Sequence, residues 1–214
     1  MLLDPAVERS KYDHEVALLE KNAARLHGLG AWIVRAERPE IDVMFVPRLP
    51  LRVAVPVTTT PSGLIVTPGQ TFQAMELHGV AARAFGVRVD LQGYDQRAPS
   101  ITFRDPWTWQ LAPYAALPIG QLVDDPAKPQ IVLLDGHPTA KRPFLCLRGV
   151  REYHEHPQHD GDDWAMYRSA INVLVLLERI ARIALASVRP QIVLLPGAPG
   201  EMQMQLQWAA EVGP

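Results

Sequence analysis

Apolar residues recur at helical spacing near the start of the chain. Val7, Val16, Leu18, Leu19, Ala23 and Leu26 form a stripe, with Glu, Lys and Arg on the opposite side, which predicts a helix over about residues 7–27. Asp4 before Pro5 suits its N-terminal cap, and Gly28 and Gly30 suit its end. The period then changes. AWIVRA, a turn at Arg38-Pro39, and IDVMFV read as extended segments, followed by LRVAVPV with its break at Pro56. TTTPSGLIVTPGQ is turn-rich and predicts a hairpin. In FGVRVDL the alternation is sharp: Phe85, Val87, Val89 and Leu91 share one face, and Arg88 and Asp90 share the other. APSITF and QIVLL predict further short strands, and residues 104–128 are proline-rich and irregular. A largely apolar helix is expected from about Ala165 to Val188, ended by Pro190. The order of helix, strands, irregular loop and helix describes an α+β domain over residues 1–190, with a tail at 191–214 that docks on the domain or binds a partner.

Composition narrows the function more than the fold. A formal charge of -2 and the lack of a basic run argue against nucleic-acid binding. The longest apolar run, Val173 to Leu177, is too short to span a bilayer, and the N-terminus lacks a cationic start followed by an apolar stretch. The single cysteine excludes an internal disulfide and fits a reducing compartment, so a cytoplasmic location is expected. Twenty prolines are about twice the average share and imply many turns.

The chemistry concentrates in residues 135–164, DGHPTAKRPFLCLRGVREYHEHPQHDGDDW. This stretch holds the lone Cys146 and four of the seven histidines, His137, His154, His156 and His159. A thiol among imidazoles suits nucleophilic catalysis or metal coordination. A cysteine in the strand-like FLCL also suits plain core packing, and the histidines suit a solvated loop. Glu152, His154 and His156 alternate, so an extended backbone would set them on one face, joined by Cys146 if the strand continues through Gly149, and zinc is the metal such donors suit. As a nucleophile Cys146 would draw on His137, Lys141, Arg142 or His154 to favour the thiolate, and Gly149 and the loop amides are candidate oxyanion donors. A further option uses the histidines as a general base. Asp160, Asp162 and Asp163 read as a solvated turn, as do Asp124 and Asp125, and Trp107 and Trp109 as packing residues. His14 and His27 read as surface positions. No glycine-rich phosphate cradle is present.

Over about residues 85–185 the chain resembles the ubiquitin-conjugating enzyme (UBC) fold. VRVDLQGYDQRAPSITF is similar to the family's third strand, Tyr-Pro turn and following strand, with Asp95 in place of the proline after Tyr94. GHPTAKRPFLCL is similar to the His-Pro-Asn segment and the active cysteine, through His137, Pro138 and Cys146, with Thr139 in place of the asparagine. Trp164 and the helix after it match the family's downstream tryptophan and helix. CLRGVREYHEHPQHDGDDW also resembles a bacterial domain family of Cys-Glu-His-His metal-binding type, associated with ubiquitin-like conjugation and JAB-peptidase operons. That likeness carries over Cys146, Glu152 and His154, and either His156 or His159.

These resemblances imply a UBC-like antiparallel meander flanked by N- and C-terminal helices. They imply a transferase-like role in a bacterial ubiquitin-like conjugation system, with Cys146 as thioester carrier and His137 beside it. The implied partners are a ubiquitin-like protein, an activating enzyme and a JAB-type peptidase. The alternative is a non-catalytic zinc-binding adaptor on the same fold.

Overall fold

A computed structural model describes residues 4–46, 48–56, 58–60, 63–65, 72–81, 84–117, 121–122, 130–196 and 202–210. Helix α1 runs over Pro5–Lys21 and is followed by α2 over Ala23–Gly28. Asp4 caps α1 through Oδ1, which accepts the Ala6 N–H at 2.8 Å. The inner face of α1 is Tyr12, Glu15 and Leu19, and α2 adds Leu26, whereas Val7 is exposed, on the solvent side of the expected stripe.

The strands are β1 (Ala31–Glu37), β2 (Glu40–Phe45), β3 (Arg48–Pro56), β4 (Thr58–Thr60), β5 (Gly63–Ile65), β6 (Phe72–Ala81), β7 (Phe85–Asp90) and β8 (Ser100–Arg104). A four-stranded antiparallel sheet has the order β1-β2-β7-β8. β3 pairs with β6 and β4 with β5, so LRVAVPV is not the sheet's third strand; β7 takes that place. The alternation in β7 explains why. Val43, Val87 and Phe103 lie in register and are buried, while Asp42, Arg88 and Thr102 line up on the other face. On that face Arg88 and Arg35 donate to the buried Asp42 carboxylate, each through Nε at 2.8 Å.

After β8 the Asp105 carboxylate accepts the N–H groups of Trp107 and Thr108 and closes a turn. Trp107 is 80% exposed on that turn, contrary to a packing role, because the turn leads its ring away from the sheet. Trp109 sits where a Cβ on Gly86 would lie 3.2 Å from its ring. Short strands β9 (Gln121–Leu122) and β10 (Gln130–Ile131) pair, as do β11 (Leu133–Leu134) and β12 (Phe144–Leu145). The Asp124-Asp125 pair lies outside the described residues.

Helix α3 is the single turn Arg151–His154, and α4 covers Val173–Ser187. The expected helix start near Ala165 is therefore corrected to Val173. Residues 164–172 form a 3-10 turn and further turns, and Asn172 opens the helix by accepting the Val175 N–H at 2.9 Å. Buried Glu15 of α1 accepts the Val173 N–H at 3.0 Å and the Tyr94 hydroxyl at 2.9 Å, joining α1, α4 and the turn after β7. The core lies between the sheet and these helices: Ile41, Val43, Phe45, Val87, Ile101 and Phe103 pack with Leu19, Leu26, Leu176, Leu177 and Ile180. Beyond α4, β13 (Val188–Pro196) pairs antiparallel with β14 (Met202–Ala210). The architecture is α+β, and among the described residues no helix is long and apolar enough to cross a membrane.

Candidate functional site

The β11–β12 hairpin presents the site. Leu133 and Leu145 pair and are buried, and the Cys146 N–H continues the ladder by donating to the Val132 carbonyl at 2.7 Å. Strand alternation then turns the Cys146 side chain away from the buried Leu145 and Leu147 and leaves it half-buried. A turn at Arg148-Gly149 reverses the chain into α3. Gly149 has φ +96°, and a Cβ there would lie 2.6 Å from Ile171 Cγ2, so glycine is required on both counts.

Cys146 Sγ lies 3.2 Å from His159 Nε2. The 3-10 turn Pro157–His159 places that imidazole, and its ring stacks on Tyr153 with 3.9 Å between centroids and 22° between planes. His156 is the next ring, 5.8 Å from His159 and 5.6 Å from His137 by centroid. Burial holds the His156 imidazole below its usual value, and repulsion from His137 and His159 adds to the effect. Burial also pushes the Cys146 thiol above its ordinary value. Burial thus works against the thiolate, and an adjacent base is needed to use the sulfur as a nucleophile.

The other candidate residues are committed elsewhere. His137 is buried beneath the Pro138–Ala140 turn. Its Nδ1 accepts the Thr139 and Ala140 N–H groups at 3.1 Å each, so Nε2 carries the proton it donates to the Glu152 carbonyl at 3.0 Å. Its contact with the site is the ring of His156, and the imidazole against the thiol belongs to His159. The Glu152 side chain points inward. It accepts from Ser100 Oγ, from Ile101 N–H at 3.3 Å and from Arg142 at 2.9 Å, and so ties α3 to β8. His154 donates from Nδ1 to the Asp162 carbonyl at 2.6 Å and accepts the Gly149 N–H at Nε2, at 3.2 Å. The expected extended run from Glu152 to His156 is corrected: residues 151–154 are helical, so alternation does not apply and these side chains diverge. The Gly149 amide is held by His154, which takes it from the oxyanion role expected of it. Lys141 is exposed, and Arg142 serves Glu152.

The acidic turn also differs from its reading as simply solvated. Asp162 accepts the hydroxyls of Tyr153 and Tyr167, and Arg148 Nε lies 3.3 Å from it. The hydrogen bonds from Tyr153 and Tyr167 hold its carboxyl below the usual carboxylate range. Asp163 caps the next turn through the Ala165 N–H at 2.9 Å, and Asp160 is exposed. Trp164 is buried against Tyr94 and His154. Tyr153 does not stand out in the sequence, and Asp162 is read there only as part of a solvated turn. The clue is their fixed place around His159, with Tyr153 ahead of the Pro157 turn and Asp162 after it.

Zinc prefers four donors in a tetrahedral set. Among the described residues no group of three or more His, Cys, Asp or Glu side chains is arranged to hold a metal ion. Cys146 and His159 supply an adjacent pair, while Glu152 and His154 would first have to leave their present partners. As arranged, the donors fit a thiol–imidazole pair and do not fit a closed tetrahedral centre.

A cleft of about 430 Å³ borders His159, lined on its other sides by Arg97, Arg151, Glu155, Asp162 and Trp164, among others. The family match falls on the stretch that carries the site, and a wider likeness covers most of the chain. A model of the Y4jH-like family matches residues 119–190. The chain is similar to the uncharacterized protein y4jH of Sinorhizobium fredii (strain NBRC 101917 / NGR234), with 25% identity over 185 residues, covering 78% of this chain and 76% of that protein.

Proposed function

We propose that this chain is a ubiquitin-conjugating-like protein of a bacterial ubiquitin-like modification system, carrying the modifier as a thioester on Cys146. The observation that supports the chemistry is the 3.2 Å approach of His159 Nε2 to the half-buried sulfur. The resemblance of the segments around His137-Pro138, Cys146 and Trp164 to UBC domains supports the substrate class. In the first step Cys146 Sγ attacks the modifier's C-terminal carbonyl, presented as a thioester by an activating enzyme. His159 Nε2 takes the thiol proton as the new S–C bond forms, and the donor thiolate leaves and recovers that proton. An acceptor amine then attacks the Cys146 thioester, and the thiol is restored. A thiol pushed up by burial suits this order, because attack then depends on a base that takes the proton. His137 acts one layer out, by holding the Glu152 backbone and the loop that follows Pro138. The partners are a ubiquitin-like protein, its activating enzyme and a JAB-type peptidase that would reverse the modification.

The test uses ubiquitin activated as its C-terminal thioester with a small thiol. The native protein is expected to form a thiol-sensitive adduct, Cys146→Ala none, and Cys146→Ser a thiol-resistant oxyester. An adduct that persists in the alanine variant, or no adduct on the native protein, refutes the reading.

The second reading is a non-catalytic zinc-binding adaptor. It draws on the same Cys146–His159 pair with His156 as the neighbouring imidazole. It requires Glu152 or His154 to be released from its present bonds to complete the set.

A further inference from the structure

We infer that Tyr153 and Asp162 are positioning residues for the Cys146–His159 pair, the carboxylate-anchored tyrosine ring being the platform that fixes the imidazole against the sulfur. This rests on the nucleophile reading of Cys146 and names what makes the pair competent. His159 sits on a 3-10 turn whose other residues, Pro157 and Gln158, are exposed, a poor place to hold a ring steady. Its imidazole nevertheless has a defined plane, because Tyr153 stacks under it at 3.9 Å. Tyr153 is itself buried and tethered at its far end, where its hydroxyl donates to Asp162 Oδ2. Asp162 is fixed by further contacts besides Arg148, which lies 3.3 Å away. Its other carboxylate oxygen accepts the Tyr167 hydroxyl, its carbonyl accepts His154 Nδ1 at 2.6 Å, and its N–H donates to the His159 carbonyl at 3.0 Å. Asp162 thus holds His159 twice, once through the backbone turn and once through the tyrosine ring. Neither residue reaches the sulfur, so both act through His159.

A base that must meet one S–H bond loses effect when its ring can swing, because general-base assistance depends on hydrogen-bond geometry. Cys146 is the only cysteine, so its acylation can be followed without background from another thiol. The probe is p-nitrophenyl acetate. Sulfur attacks its carbonyl, the S–C bond forms, nitrophenolate leaves and is measured, and the thiol proton passes to His159 and then to solvent. The readouts are the neutral-pH acylation rate and its solvent deuterium isotope effect, which reports a proton in flight and is insensitive to a merely structural loss.

His159→Ala should abolish the assisted rate and the isotope effect. Tyr153→Phe keeps the ring and loses the anchor; Asp162→Asn weakens the same anchor from the other side. Each should lower the rate about 5- to 20-fold, a part of the 10²–10⁴ that a positioned base contributes. The double variant should be no slower than the worse single, because both cut one link. Tyr153→Leu, which removes the ring, should approach His159→Ala. If His159→Ala is slow while the Tyr153 and Asp162 variants keep the native rate and isotope effect, the positioning inference falls and the nucleophile reading stands. If His159→Ala itself keeps the native rate and isotope effect, the thiol–imidazole reading falls and the inference with it. Should Asp162→Asn fail to fold, Tyr153→Phe and Tyr153→Leu decide the question.

Discussion

Alanine at Gly149 is expected to destabilise the protein by about 2–5 kcal/mol. The first contribution is the backbone: φ is +96° at this position, and a left-handed conformation costs an L-residue roughly 1–2 kcal/mol. The second is steric: the added Cβ would lie 2.6 Å from Ile171 Cγ2 and 3.2 Å from its Cδ1. Relieving such overpacking typically costs about 1–3 kcal/mol. The two contributions can be separated. Ile171→Ala removes the atoms that clash and leaves the backbone requirement untouched. Urea unfolding of the native protein, both single variants and the double variant forms a cycle. The double variant should be more stable than the sum of the singles predicts, by about 1–3 kcal/mol, with the backbone part retained. Additive singles would show that the turn moves away from Ile171 without cost, and an undiminished stability in Gly149→Ala would refute the reasoning altogether. The turn matters beyond stability, since the Gly149 amide orients His154, which in turn is bound to Asp162.

Two further outcomes follow from the buried carboxylates. Burial alone would raise the Asp42 carboxyl, but hydrogen bonds from Arg88 and Arg35 outweigh it and hold the group below its usual range. Its contribution is therefore present above the unfolded-state value, near about 3.9, and is lost as pH falls through the lower folded value. Asp42→Asn should cost about 3 kcal/mol at neutral pH by urea unfolding, and the gap to the native protein should close in acid; a gap that stays constant with pH would count against the ion pairs. Tyr94→Phe removes the hydroxyl that donates to Glu15, leaving that buried carboxylate short of a partner, and should cost about 1–3 kcal/mol by the same assay; an unchanged midpoint would show that Glu15 does not depend on Tyr94.

The extent to which the sequence foretold this structure depends on the range of the forces involved. β7 was legible because alternation reports a local fact, one face apolar and the other polar. The start of α4 was not. Ala165 and Met166 extend an apolar pattern, yet Met166 is 67% exposed and the chain turns until Asn172 caps the helix. The apolar pattern also gave no warning of Glu15, whose role is to join α1, α4 and Tyr94 across long chain separations. In the site, the stretch itself stood out because cysteine and histidine are scarce residues. Which histidine meets the thiol did not, since that choice rests on a turn at Gly149, a one-turn helix and a second turn at Pro157. His137 is nearer the expected motif, but its ring is consumed by its own loop.

Under the proposed function Cys146 is an available thiol beside His159 and not one corner of a metal centre. The direct measurement is zinc content set against thiol alkylation on the same neutral-pH sample, before and after a chelator. The expected result is substoichiometric zinc and an alkylation rate that the chelator does not change. One equivalent of tightly held zinc, with a thiol that reacts only after the metal is stripped, would contradict it and favour the adaptor.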